Sequence, residues 1–453
     1  MEPQTLDSFL VQHPHITSVD LLIVDLDGVL RGKRVERSLL NKVFTQGFNL
    51  PQSVLGLDST GATVETSHLG VVTGDQDRLC RPIAGTLQLI PWHAAGDRAQ
   101  VLCAMYEMDG SPLEIYPRHV LERAKARFEK LGYQVGLALE LEFYLIDPQR
   151  TQEGALQAPV SKVSGNRMNS TQVYSINDLD DYDDFIQAVL DSARAQGIPA
   201  DAVIAEYAPG QFEVNLNYQQ DILKATDDAV LLKRVIHAIA RQHGMQATFM
   251  AKPYIDEAGN GLHIHMSLLD RDGQNVLAAE DPRENALMRQ AVAGLLDMAD
   301  ATQAFCCPTL NSYRRFAKGS FAPTNKTWGL DNRSVAMRIP ASNVAATRIE
   351  NRMAGADANP YFAVTAMLAG ITEGIEGKLT PPPYTTGDAY KRGAAMVPDN
   401  QRDSLRAMAN DSRIETWFGK ETMRVYSEVK WHNLQLFEQQ ITPMEYALLL
   451  PMV

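Results

Sequence analysis

The sequence predicts an α+β protein with a small sheet-rich N-terminal part and a larger mixed part. Two observations carry this. Residues 19–108 fall into short alternating runs punctuated by Gly and Asp: "VDLLIVDLDGVLRGKRVE", "GFNLPQSVLGLD", "GTLQLIPW" and "AQVLCAMYEMDG". Period-two alternation bounded by turn residues is the signature of strands and hairpins. After "DGSP" the texture changes: "YPRHVLERAKARFEKLG" opens on Pro, keeps a helical period and stops on Gly. The expected division is residues 1–112 and 113–453.

Beyond that helix, "LALELEFYLI", "GQFEVNLNY", "ATFMAKPY", "GLHIHMSLLD" and "VAMRIP" have strand character, while "DDAVLLKRVIHAIARQHG" and "ANPYFAVTAMLAGITEGIEG" have helical character. Strands and helices interspersed in this way point to an α+β layer arrangement. "KLTPPPYTTGDAYKRGAAMVP" is rich in Pro and Gly and is expected to be an exposed loop.

Composition narrows the function classes. The chain is 45% hydrophobic and 21% charged, which suits a soluble globular protein. A formal net charge of −13 without a dense Lys/Arg stripe argues against nucleic acid or an anionic membrane as partner, and favours small-molecule substrates. Cys80, Cys103, Cys306 and Cys307 show no C-x-x-C spacing, so neither a disulfide framework nor a structural zinc site is expected. The N-terminus lacks a basic start with an apolar core, and no apolar run is long enough to cross a bilayer; a cytoplasmic location is expected.

The first strand pair contains "IVDLDGVL", the D-x-D-G opening found in haloacid dehalogenase-type phosphatases, where Asp25 would attack phosphate. An Asp-Gly turn joining two strands is the simpler explanation, since no downstream lysine and paired aspartates complete such a site.

The informative pattern is polar residues at strand spacing. Glu140 and Glu142 in "LALELEFYLI" point to one face among apolar neighbours. A metal, an arginine, or solvent at a sheet edge would each account for them. The pattern recurs in His263 and His265, and in Arg348, Glu350 and Arg352, while Glu206 and Glu213 bracket the turn "EYAPGQFE". If these segments converge, five glutamates with one or two histidines suit two oxygen-preferring ions, Mg²⁺ or Mn²⁺, better than zinc. Arg314, Arg315, Arg333, Arg338, Arg348 and Arg352 add groups fit for phosphate or carboxylate, and metals with arginines around one cavity describe a phosphoryl-transfer site. No P-loop is present.

The motifs "ELEFYL", "EYAPGQFEVN", "GNGLHIHMS", "NSYRRF", "DNRSVAMRIP" and "RIENRMAGADANPY", in that order, resemble the glutamine synthetase family from about Val19 onward. The wording looks most like its γ-glutamylpolyamine synthetase branch, which includes γ-glutamylputrescine synthetase. The resemblance implies an N-terminal β-grasp domain, a catalytic domain with a curved antiparallel sheet, and a dodecamer of two hexameric rings with active sites shared between subunits. Carried over by motif, Glu142, Glu206 and Glu213 hold one metal, and Glu140, His263 and Glu350 a second, with two or three ions per site. Gly261, Arg315 and Arg352 bind glutamate; His265, Ser267, Arg333, Arg338 and Arg348 face ATP. Asp58 in "GLDSTG", supplied by a neighbouring subunit, matches the nucleophile-activating aspartate, and Glu206, Arg338 and Arg352 join it as catalytic groups. The implied reaction is ATP-dependent ligation of the γ-carboxyl of glutamate to an amine through γ-glutamyl phosphate.

One departure bears on the amine. Where glutamine synthetases carry a glutamate that binds and deprotonates ammonium, "RRFAKGSFAP" has Phe321. An aromatic wall suits an alkyl chain or a remote ammonium better than ammonium itself. The expected substrate is therefore a polyamine (putrescine, spermidine or spermine) in polyamine catabolism, with Tyr174 and Phe321 lining the amine pocket. The alternatives are ammonia, as in glutamine synthetase, and a monoamine such as ethanolamine. The Asp178, Asp180, Asp181, Asp183 and Asp184 cluster is expected to be a solvated loop and helix start. The family's adenylylation pattern is not reproduced around Tyr384 or Tyr390.

Overall fold

The computed structural model describes residues 5–317 and 319–452. Its first sheet contains β1 (Ser18–Val24), β2 (Leu30–Glu36), β3 (Phe48–Pro51), β4 (Asp77–Pro82), β5 (Gln88–Leu89) and β6 (Arg98–Tyr106). The strand order is β2-β1-β6-β4-β3, with β5 against β6. β1 pairs antiparallel with β2 and parallel with β6, so this apolar strand is central and buried along its whole length. The Asp-Gly turn links β1 to β2, with Gly28 at φ 78°, a conformation glycine adopts freely. Asp25 is buried within it: its carboxylate accepts from the Asp27 and Val29 amides (3.0 and 2.9 Å) and from Arg31 Nε (2.9 Å). It is a turn-fixing group rather than an exposed nucleophile.

The second sheet is built from β7 (Gln134–Ile146), β8 (Ala200–Ala205), β9 (Gln211–Leu216), β10 (Gln246–Thr248), β11 (Leu262–Leu269), β12 (Trp328–Leu330), β13 (Met337–Ile339) and β14 (Ile349–Asn351). Its order is β12-β13-β14-β11-β7-β9-β8, and β10 pairs with the end of β7 that β11 leaves free. "ATFMAKPY" forms a much shorter strand than its composition suggests, because only Ala247 and Thr248 of it, with Gln246 before them, reach β7. Along β7, Leu137, Leu139, Leu141 and Phe143 are fully buried on one face, while Glu140 and Glu142 alternate onto the other. Helix Ile222–Gln242 packs against β7, started by the Asp221 side chain, which accepts from the Leu223 and Lys224 amides.

Helix Pro360–Glu376 is buried along most of its length and lies against helix Ala286–Asp297. Gly294, Gly370 and Gly374 make this approach feasible: a Cβ on Gly294 would fall 2.0 Å from the Gly370 carbonyl oxygen. One apolar core runs without a break from Phe9 to Val429 and joins both sheets. Asn359 ties them further, its side-chain amide donating to the Asp25 and Leu26 carbonyls at 3.1 and 3.2 Å. No helix among the described residues is long and apolar enough to cross a membrane.

Candidate active site

Strand register assembles the charged residues. Arg338 stands opposite Glu350, Glu350 opposite His265, His263 opposite Glu140, and Glu142 opposite Glu213. Cross-strand partners share a face, so five adjacent strands (β13, β14, β11, β7 and β9) present one continuous polar row. Glu206 joins from the β8–β9 turn, where Gly210 at φ 79° reverses the chain and the Glu206 amide donates to Gln211 O at 2.9 Å.

The side chains are closely coupled. Glu140 contacts His263 Nδ1 at 3.0 Å and His265 Nε2 at 2.8 Å. Glu142 accepts from the Gly261 amide at 2.6 Å. A Cβ on Gly261 would lie 2.8 Å from His263 Nε2 and 3.3 Å from Arg315 Nη2, so any side chain here would displace one of them. Glu350 accepts from Arg338 at 2.7 Å and from Arg352, and Arg338 also donates to Asp331 at 2.6 Å. Arg348 Nε donates to His265 Nδ1 at 3.2 Å, and His265 Nε2 is turned toward Glu140.

These environments split the carboxylates. Burial raises Glu140, but hydrogen bonds and charge from His263 and His265 outweigh it and hold the carboxyl well below its ordinary range. Burial likewise opposes ionisation of Glu350, yet Arg352, His263 and His265 pull it down to about 2. Glu206 rises to about 7, first through burial and then through the Glu142 charge. Glu213 is pushed well above the ordinary value by burial, then by Glu140, Glu142 and Glu206. Buried like charges of this kind need a compensating cation.

The donor geometry fits one. Among the described residues, ligand atoms lie within 4.8 Å of one another in three sets: Glu142, Glu206 and Glu213; Glu140, Glu213 and His263; and Glu140, His265 and Glu350. The first set coincides with the expected first metal site. In the geometry Glu140 and Glu350 meet through His265, whereas His263 groups with Glu140 and Glu213. The buried side-chain oxygen of Asn215 adds an acceptor with no partner in the described structure. Carboxylate-dominated sets without cysteine suit hard divalent ions such as Mg²⁺ or Mn²⁺.

A cavity of about 460 Å³ opens over this face, and Glu140, Glu142, Glu206, Glu213, His263, Glu350, Arg315, Arg333, Arg338, Arg352, Tyr174 and Phe321 all line it. A second cavity of about 830 Å³ carries His265, Ser267 and Arg348, and shares Glu140 and Asn215 with the first. Gly261 sits beneath the cluster through its bond to Glu142. Asp58 lines neither cavity: its carboxylate accepts from Thr60 and Ala62 and faces His432 at 3.3 Å. Arg314 is exposed and lines a separate cleft. The acidic cluster falls on helix Ile176–Asp181 and the first turn of helix Asp183–Ala195. Tyr384 OH accepts from Arg283 at 2.9 Å, and Tyr390 OH donates to Ala322 O at 3.0 Å.

Several lining residues escaped sequence reasoning. Asn215 follows Glu213 at strand spacing, so the period-two rule alone would have placed it on the polar face. Tyr218, whose ring lies where a Cβ on Gly136 would be, 2.0 Å from that position, lines the second cavity. Tyr207 lines the first, with its ring 6.3 Å from Phe321 at 61°. No local pattern marks these two.

The profile of the glutamine synthetase catalytic domain matches residues 114–449. The chain is 38% identical to gamma-glutamylputrescine synthetase PuuA of Escherichia coli (strain K12), over 98% of this chain and 93% of that one. It is 37% identical to a glutamate–isopropylamine ligase of Pseudomonas sp, over 84% and 83%. A solved GmaS/ADP complex (conformation 1) superposes with a TM-score of 0.85 at 25% identity, covering 99% of each chain. With its α+β fold, its paired sheets and this domain match, the chain is a ligase belonging to the glutamine synthetase family.

Proposed function

We propose that this ligase uses ATP to join the γ-carboxyl of L-glutamate to an amine through γ-glutamyl phosphate, and that the amine is a polyamine such as putrescine. The observation that carries the reading is the single cavity lined together by the carboxylate–histidine face, by Arg315, Arg333, Arg338 and Arg352, and by Phe321. The similarity to PuuA supports the choice of amine.

The residues divide by chemistry. Glu142, Glu206 and Glu213 would hold one divalent ion, and Glu140 and Glu350, with His263 or His265, another; two or three bound ions would supply charge neutralisation for the phosphates. Arg315, buried and donating to Met353 O at 3.1 Å, is fixed to receive the substrate glutamate with Gly261 and Arg352. Arg338, steered by Glu350 and Asp331, faces the transferred phosphoryl group, and Arg333 and Arg348 flank it. The cavity with His265 and Ser267 takes the rest of the nucleotide. Glu206, at the amine end of the cavity, and Asp58 of a neighbouring subunit would accept the proton lost by the attacking amine.

A neighbour's Asp58 requires an oligomer, and we place the protein in a cytoplasmic dodecamer of two hexameric rings. The exposed apolar side chains of the C-terminal helix Pro443–Leu449, including Met444, Leu448 and Leu449, support burial against other copies. The division at residues 1–112 and 113–453 belongs to the same reading.

The test is glutamate-dependent phosphate release from ATP with Mg²⁺ across ammonium, putrescine, spermidine, spermine, ethanolamine and phenethylamine. Release chiefly with polyamines is expected. Release chiefly with ammonium would make the enzyme a glutamine synthetase.

A further inference from the structure

The amine side of the cavity differs in kind from the rest of its wall. Its lining includes Val173, Tyr174, Ile204, Tyr207 and Phe321 as well as the metal-binding carboxylates. All five are uncharged, and every carboxylate lining this cavity already belongs to the metal-binding sets or neutralises their arginines. Among the described residues, this chain therefore adds to the rim no acid of its own that is free to pair with a distal ammonium.

Two of these residues are held in unfavourable backbone conformations. Tyr174 lies at φ 61° and Phe321 at φ 59°, the left-handed region that large side chains avoid. Strain at such positions clusters at ligand-contacting sites. Tyr174 is pinned there by its amide, which donates to Ala205 O at 2.9 Å. The result is three aromatic rings left half open to solvent at one mouth: Tyr174 59%, Phe321 50% and Tyr207 46% exposed. Tyr207 meets Phe321 near edge-on. Tyr207 follows Glu206 directly in the chain, so the pair spans from the inner, proton-accepting end to the apolar rim.

We propose that Tyr207, with Phe321 and Tyr174, is a specificity-determining clamp that reads the hydrocarbon chain of the amine rather than its distal charge. The substrate class is primary alkylamines in which several methylenes follow the attacking nitrogen, with or without a second amino group. This deepens the proposed ligase reading and rests on it. Each methylene that enters the clamp adds contact with the rings, whereas these rings offer a distal ammonium only the weak attraction of an aromatic face.

The experiment measures kcat/KM for ammonium, ethylamine, butylamine and putrescine at saturating ATP, Mg²⁺ and glutamate, in the wild-type protein and in Tyr207→Ala and Tyr207→Phe. Expected results are a rise of at least about tenfold from ethylamine to butylamine, and putrescine within about tenfold of butylamine. Tyr207→Ala should raise the amine KM more for butylamine than for ethylamine, and Tyr207→Phe should restore the wild-type order. Putrescine exceeding butylamine by more than about a hundredfold would overturn the proposal, as would an equal effect of Tyr207→Ala on every amine. The wild-type series decides the matter even if the variants fold poorly. Turnover with no amine at all would overturn the ligase reading and this inference together, whereas selection by distal charge overturns the inference alone.

Discussion

Glu142→Gln should act in opposite directions on the metal-free and metal-bound protein. Glu142 is the second cause, after burial, of the rise of Glu206 from 4.5 to about 7. At about pH 8 Glu206 is ionised, and a shift of that size means a penalty of roughly 3 kcal/mol in the metal-free folded state. Burial takes the larger share, so neutralising Glu142 should return roughly 1 kcal/mol, or about 1–2 °C in Tm for a chain of this length. Glutamine keeps an oxygen to accept from the Gly261 amide, so the local backbone is undisturbed. With a divalent ion the sign reverses. Loss of one anionic ligand should weaken binding at least about tenfold, equivalent to about 1.4 kcal/mol. Calorimetric unfolding in EDTA and in saturating Mn²⁺ would measure both. Equal destabilisation in the two conditions would refute mutual repulsion as the force that the metal relieves.

Three other outcomes follow from the same geometry. Asp25→Asn should leave glutamate-dependent phosphate release intact while lowering stability by about 1–3 kcal/mol, because Arg31 and the turn lose a charged acceptor; complete loss of activity in a folded variant would restore a catalytic role for Asp25. Phe321→Glu should shift relative kcat/KM toward ammonium and away from larger amines by about tenfold or more, since an acid replaces the ring facing Tyr207; an unchanged ratio would sink the assignment of Phe321 to amine selection. Glu206 also sets a pH window. Its folded value is raised, so the stability it contributes is complete below 4.5 and lost as pH rises through about 7. The Tm gain from Mn²⁺ should therefore grow from about pH 5 to about pH 8, and a flat gain would contradict it.

By itself the sequence determined what lies on which side of each strand. Side chains alternate with a period of two whatever the strand's neighbours, so Glu140 with Glu142, and His263 with His265, were bound to share a face once "LALELEFYLI" and "GLHIHMSLL" were strands. Helix starts and stops, the Asp-Gly hairpin and the Pro-rich loop were legible for the same local reasons. The six ordered motifs carried the family.

Only the tertiary structure decided which charges meet. Register between β11, β7 and β14 sets Glu140 against His263 and Glu350 against His265, because hydrogen bonding across strands joins residues 85 to 123 positions apart. Pairing puts Asn215 between two cavities, while packing of loops and helices remote in sequence sets Tyr207 edge-on to Phe321 and Asp58 on a turn against His432, outside both cavities. Periodicity fixes the face of a residue; contact depends on loop closure and packing between segments remote in sequence, and that information resides in the fold as a whole.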